Sequence, residues 1–239
     1  MFKRAAALLC VCASALCASA QPANAQQTLN FTLGYFAVRG EDARDADDIL
    51  RSDRNFLTFD VHDFNSASVG GEWLVALGNY FEGGAGISFS RRTVESFYTQ
   101  YSRPGGGTVD QDLRLRLVPL AFTIRAVPTG QESPIQPYIG GGLAVIPWRY
   151  TESGDFIDFS RGNEIFRDTF VGSGTATGGL ALAGIRYAGS SWSTGFEVRY
   201  QAAKADLPTS EFASTRNPNP TIDLGGWTYQ GTVGIRFGR

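Results

Sequence analysis

The chain has 239 residues, with 21 Lys+Arg against 23 Asp+Glu and a formal net charge of −2. That balance gives no support for a nucleic-acid partner. All three cysteines, Cys10, Cys12 and Cys17, lie near the N-terminus, so the rest of the chain carries neither a disulfide framework nor thiolate chemistry.

Residues 1–25 read as a secretory signal peptide. Lys3 and Arg4 give a short positive start, Ala5 to Ala18 is an apolar run without charge, and Ala23-Asn24-Ala25 is a cleavage site. Ala18-Ser19-Ala20 is a second candidate for cleavage. The remaining residues, 26–239, read as one domain, since no linker-like composition divides them. They hold no run of ~18 apolar residues that could cross a membrane as a helix.

Strands follow in order. The first, Leu29 to Arg39, sets Leu29, Phe31, Leu33 and Tyr35 against Asn30, Thr32 and Gly34. Glu41 to Arg54 is charged and lacks a strand pattern, so it reads as a long exposed loop. The second strand, Asn65 to Leu77, ends at the tight turn Gly78-Asn79-Tyr80, and the third runs from Phe81 to Thr99. The fourth, Val109 to Ala126, sets Leu113, Leu115 and Leu117 opposite Arg114 and Arg116. It then sets Leu120, Phe122 and Ile124 opposite Thr123 and Arg125. A β-bulge at Val118-Pro119 is the expected cause of that slip, because proline cannot donate to the ladder.

The fifth strand spans Gln136 to Tyr150 and the sixth Gly174 to Tyr187, with a long polar loop between them. The seventh, Trp192 to Gln201, sets Phe196, Val198 and Tyr200 against Glu197, Arg199 and Gln201. Lys204 to Ile222 is a loop, and Trp227 to Phe237 is the eighth strand, alternating without a slip.

Eight strands is an even number, and their connections alternate long and short: 40–64, 78–80, 100–108, 127–135, 151–173, 188–191 and 204–223. Membrane barrels of the outer-membrane type have short periplasmic turns and longer extracellular loops, which places both termini in the periplasm. Aromatic residues fall into two groups. Phe31, Phe81, Tyr138, Tyr187, Trp192 and Phe237 lie toward the short turns, and Tyr35, Phe89, Trp148, Tyr150, Tyr200 and Trp227 toward the long loops. Two such girdles suit the two membrane interfaces.

In its signal segment, its eight strands, Arg116-Leu-Val-Pro-Leu120 leading into Gln136-Pro-Tyr-Ile-Gly-Gly-Gly142, and its alternating end at Phe237, the chain resembles the small outer-membrane β-barrel proteins of Gram-negative bacteria, the OmpA/OmpX/OmpW-like group. The resemblance implies an all-β, eight-stranded antiparallel up-and-down transmembrane barrel in the outer membrane. It implies a non-enzymatic structural or surface-interaction role without cofactor, and a monomer. The partners it implies are outer-membrane lipid and lipopolysaccharide, and the barrel assembly machinery during biogenesis. A narrow OmpW-like channel for small solutes is the alternative. A soluble ligand-binding barrel of lipocalin type would need the apolar face inward, and it leaves the loop asymmetry unexplained.

The polar face carries Glu72, Glu82, Arg114, Arg116, Arg125, Glu197, Arg199 and Arg236. Eight strands leave an interior that side chains fill, so these charges are expected to pair and close the lumen, with Glu82 and Arg125 a pair on adjacent strands. His62, the one histidine, stands between Asp60 and Asp63 without a marked nucleophile and reads as a solvated rim residue. Asp45, Asp47 and Asp48 lack the spacing of a calcium loop and read as a solvated acidic stretch. Gly140-Gly-Gly142 lies within a strand and reads as close packing, not a phosphate cradle.

Overall fold

A computed structural model of the chain describes residues 26–214 and 217–238, apart from the side chain of Ser160. The signal segment expected at residues 1–25 lies outside the described residues.

Nine strand segments close into one antiparallel ring: β1 (Gln27–Val38), β2 (Ser66–Ala76), β3 (Phe81–Ser102), β4 (Thr108–Leu117), β5 (Leu120–Ala126), β6 (Ile135–Asp158), β7 (Glu164–Ala188), β8 (Trp192–Ala202) and, beyond a short hairpin of β9 (Lys204–Asp206) with β10 (Thr221–Asp223), β11 (Gly226–Phe237). Each segment pairs with its neighbour in sequence, and β11 returns to β1 with Gln27 facing Phe237. Segments β4 and β5 are two parts of one wall strand, because both lie between β3 and β6. The ring is thus an eight-stranded up-and-down barrel, and closure leaves no sheet edge unpaired.

The expected bulge at Val118-Pro119 is not there. Leu117 faces Trp148 and Leu120 faces Val145, while on the other side Leu117 faces Ser90 and Leu120 faces Ile87. Three residues on β4–β5 match three on each neighbour, so none is inserted. The odd-numbered residues point inward throughout, from Leu113 to Arg125, as their burial shows. What changes is the medium. Along β5 the wall shows Phe122 (58% exposed) and Ile124 (62%) outward and buries Arg125 (1%); along β4 it buries Leu113, Leu115 and Leu117 and turns Arg114 and Arg116 outward. The apolar stripe moves from outside to inside where the wall leaves an apolar surrounding for water.

The same band runs around the ring. Phe31, Leu33, Ile87, Ile139, Leu143, Ile185, Phe196, Val233 and Ile235 are all exposed outward, whereas their neighbours Asn30, Glu72, Thr123, Glu197 and Thr232 are buried inward. Leaving a large apolar side chain in water forgoes about 1.5–3 kcal/mol. A full belt of them is the outside of a membrane barrel, where strands of ~9–11 tilted residues cross the hydrocarbon.

Several strands far exceed that length. Residues 151–173, expected as a loop, continue β6 and β7 as a 24-rung ladder that ends at Asp158 and Glu164, and only 159–163 connect them. Likewise β3 runs to Ser102, so the turn before β4 is 103–107. The polarity that suggested a loop arises because both faces of this ladder stand above the belt. The girdle assignment also needs correction: Trp148 and Tyr150, at the foot of this extension, point into the barrel and are buried, as is Tyr138 lower down. Tyr187, Trp192 and Phe237 do face outward beside the short turns, and Tyr35 and Trp227 beside the long loops.

The segment 41–54 is not simply an exposed loop. It contains helix α1 (Ile49–Asp53), whose Ile49 and Leu50 are buried, and Asp48 caps it by accepting the Arg51 N–H at 3.2 Å. The loop at 203–225 holds β9, β10 and helix α2 (Thr209–Phe212), which buries Phe212.

Candidate functional site: the lumen and its cap

The barrel interior has two storeys, and the strand alternation builds both. At belt level, inward positions bring Glu72 of β2, Arg125 of β5, and Glu197 and Arg199 of β8 to one place. Arg125 Nη2 lies 2.5 Å from Glu72 Oε2 and 2.8 Å from Glu197 Oε2; Arg199 Nη2 lies 2.7 Å from Glu197 Oε1 and 3.3 Å from Glu72 Oε1. Two guanidiniums and two carboxylates alternate in a closed ring of zero net charge across the lumen. The Tyr138 hydroxyl donates to Glu197 Oε2 at 3.1 Å, and the Gln230 amide donates to Glu197 Oε1 at 2.9 Å.

Toward the short turns, Arg186 of β7 grips Glu82 of β3 with both terminal nitrogens, one contact being 3.0 Å. Its Nε donates to Gln136 Oε1 at 2.7 Å. The Tyr138 ring lies between the two levels, 4.9 Å from the Arg125 guanidinium and 5.7 Å from that of Arg186. At the rim, Arg236 donates to the Gly189 carbonyl at 2.5 Å and to Gln26 Oε1 at 2.6 Å, tying β11 to a turn and to the chain's beginning.

Of the residues expected in the lumen, Glu72, Glu82, Arg125, Glu197, Arg199 and Arg236 face inward. Arg114 and Arg116 do not; they stand on the outer wall, since the polar face there is the outer one. The pairing of Glu82 with Arg125 also needs correction. The two are direct neighbours in the ladder, yet each reaches past its neighbour to a partner across the narrow lumen. Arg186 is absent from the expected set. Counting back from the outward Tyr187 would have placed it inward, but the small residues on both faces of β7 mask the alternation.

Above the belt the interior is built on an apolar cluster. Leu113, Leu115, Leu117, Ile146, Trp148, Tyr150 and Leu180 from the wall pack with Phe36, Leu50, Phe64, Leu207, Phe212, Ile222 and Leu224, mostly from the loops. The two large loops interlock over this core. Arg44 and Asp48 form a fully buried ion pair at 2.9 Å, and Asp48 Oδ2 accepts the Asp223 N–H at 2.7 Å. Asp48 is therefore structural, not part of a solvated acidic stretch. Lys204 Nζ reaches Asp45 at 2.9 Å and Asp47 at 3.2 Å; its hydrogen bond holds the exposed Asp45 carboxyl below the usual range. His62 is exposed on a short 3-10 turn, and its neighbour Asp63 accepts the Asp60 N–H at 2.8 Å. Both acids beside the histidine thus serve the turn.

The closed ring, apolar exterior and charged interior define a membrane-spanning β-barrel with a folded cap. Solved structures similar to this chain include the outer membrane protein OprG from Pseudomonas aeruginosa (13% identity, 90% of this chain and 97% of that one, TM-score 0.49). Also similar are the attachment invasion locus protein Ail of Yersinia pestis (9% identity, 89% and 99%, TM-score 0.46) and Neisserial surface protein A (10% identity, 90% and 97%, TM-score 0.44). No family model matches the chain, and no curated protein matches it.

Two outcomes are expected. Glu197→Gln leaves two buried guanidiniums with one carboxylate, and removing one partner of a buried pair costs about 3–5 kcal/mol. Urea unfolding in vesicles should show that loss, and Arg125→Met added to Glu197→Gln should recover much of it by restoring neutrality. Additive losses in the double variant would contradict the ring.

The cap should respond to pH. Asp53, at the end of α1, has its Oδ2 shielded from solvent. Burial pushes its carboxyl well above the usual range, and the neighbouring Glu152 and Asp48 carboxylates push it further. The folded cap therefore holds a proton that the unfolded loop releases above about pH 4. The stabilisation is complete below that value and is lost as pH rises through Asp53's raised pKa. Burial raises the adjoining Glu152 as well, to about 7, so hydrogen-exchange protection factors across residues 49–57 should fall between pH 5 and pH 8, and Asp53→Asn together with Glu152→Gln should flatten the dependence. Equal protection at both pH values in the unaltered protein would contradict this.

Proposed function

We propose that the protein is an integral outer-membrane barrel of non-enzymatic role, sealed to solutes, that anchors a folded cap at the cell surface. The short turns and both chain ends face the periplasm in this reading, and the long hairpins and loops face outward. Residues 1–25 carry the chain across the inner membrane as a signal segment. The alternating β11 strand is then available to the barrel assembly machinery, and the finished barrel sits as a monomer in outer-membrane lipid and lipopolysaccharide.

The observation that carries the reading is the neutral ring of Arg125, Glu72, Arg199 and Glu197 beneath the apolar cluster of the upper storey. A solute would meet charges already paired with one another, then side chains in van der Waals contact. Both storeys would have to open for passage. The β6–β7 hairpin and the interlocked loops offer a rigid surface for contact with whatever lies outside the cell.

Planar-bilayer recording on the refolded protein tests this. The unaltered barrel should show no steady conductance. Replacing Glu72 and Glu197 together by Ala, with Arg125→Ala and Arg199→Ala, should leave it non-conducting as well, because the apolar storey remains. Large steady conductance from the unaltered protein would overturn the sealed reading and favour a narrow channel for small solutes.

A further inference from the structure

The outer wall carries four arginines that the lumen does not use. Arg91 of β3, Arg116 of β4 and Arg149 of β6 stand abreast, each directly opposite the next in the ladder. Arg114 lies two residues farther along β4, between Thr93 and Thr151, and its Nε donates to Thr93 Oγ1 at 3.1 Å. The four line one shallow depression of about 450 Å³ with Thr151 and Ser153. Among the described residues none of them makes an ion pair. Glu95 and Asp112, opposite each other one row farther from the belt, leave them unneutralised.

Three like charges directly opposite one another repel, and an anion between them would relieve that repulsion. The position narrows the choice. The next outward residues toward the membrane are Phe89, Val118 and Pro147, at the very edge of the apolar belt. Below and to one side, across β1, β2 and β3, a second depression of about 600 Å³ is lined by Phe31, Leu33, Val69, Gly71, Ile87 and Phe89, and it meets the arginine row at Phe89 and Val118. Gly71 is what opens it, as an outward position without a side chain: only a backbone oxygen, at 3.5 Å, lies near where its Cβ would be. Fork-shaped guanidiniums bind phosphate oxygens in pairs, and an apolar groove suits an acyl chain.

From this we infer that the outer wall holds a specific site for an anionic lipid carrying more than one phosphate. Its phosphates bridge Arg91, Arg114, Arg116 and Arg149, and one acyl chain lies in the groove at Gly71. The inference rests on the membrane reading of the barrel and, in the proposed orientation, places the lipid in the outer leaflet. Its phosphates would then join three strands at the level where the wall changes from lipid to water.

Native mass spectrometry on detergent-refolded, delipidated protein tests it, with cardiolipin as a two-phosphate probe, phosphatidylcholine as a zwitterionic one, and inorganic phosphate as the headgroup alone. Cardiolipin should bind about tenfold or more tighter than phosphatidylcholine, as charge-assisted hydrogen bonds of ordinary strength imply. R116A/R149A should remove that preference, R91Q should weaken it, and G71L should weaken cardiolipin while leaving phosphate unchanged. Urea midpoints of the variants, measured alongside, establish that each is folded. Equal affinity for the two lipids, or a preference that survives both R116A/R149A and R91Q, overturns the site. Phosphate binding as tight as cardiolipin, with no effect of G71L, makes it an anion site and overturns the lipid. Flotation with phosphatidylcholine vesicles separates the levels: a protein that fails to float contradicts the membrane reading itself, whereas one that floats without lipid preference contradicts only this site.

Discussion

A guanidinium only 1% exposed at the middle of the barrel, that of Arg125, constrains much of what surrounds it. Its charge cannot reach bulk water, so it requires carboxylates in the same dry space. Glu72 and Glu197 supply them from strands across the lumen, and Arg199 balances the second negative charge. That requirement reaches into the wall. At Gly184 a Cβ would lie 2.5 Å from the Tyr138 hydroxyl, and at Gly84 it would lie 3.3 Å from Glu72 Oε1 and 2.5 Å from Thr123 Oγ1. Side chains of full size on one side of the lumen are possible only where glycine faces them. Register is fixed at the same time, because a one-residue slip of β8 would turn Glu197 and Arg199 to the lipid.

The second constraint is the medium outside. The register carries unchanged across Val118 and Pro119, where the Val118 N–H donates to the Pro147 carbonyl at 3.0 Å and the Ser88 N–H to that of Pro119 at 3.0 Å. One ladder therefore passes from hydrocarbon into water, and only the side chains register the crossing. Below it the barrel is apolar outside and polar inside. Above it the order reverses, so the upper barrel is built like a soluble protein, with a hydrophobic core closed by the two long loops. The outward arginines and the buried leucines of β4 are two sides of that one reversal.

The ring of strands was readable from the sequence because β1, β8 and β11 alternate cleanly in large apolar and polar residues, and the turns at 78–80 and 188–191 are short. The charged positions of β2, β3, β5 and β8 followed from the same parity. Arg114 and Arg116 did not, since the rule that polar means inward holds only within hydrocarbon. The inverted pattern looked like a slip of register, whereas counting residue parity alone would have kept Leu117 and Ala121 on one face. The cap was hidden for another reason. Leu50, Phe64, Phe212 and Ile222 are isolated apolar residues in charged or proline-containing stretches, without a period of 2 or 3.6, and only the fold brings them together. The cross-lumen partners were equally out of reach, since Glu82 sits beside Arg125 in the ladder but pairs with Arg186, three strands farther along the wall in sequence.

The reversal of polarity along one unbroken ladder is open to a direct measurement. Residues 26–239 contain no cysteine, so single cysteines can be placed at 114, 116, 120, 122, 124 and 125 and spin-labelled in vesicles. Collision with oxygen then reports lipid, and collision with a water-soluble nickel chelate reports solvent. Positions 120, 122 and 124 should favour oxygen, 114 and 116 the chelate, and 125 should be shielded from both. Oxygen contact at 114 and 116, or chelate contact at 122, would contradict the inverted wall.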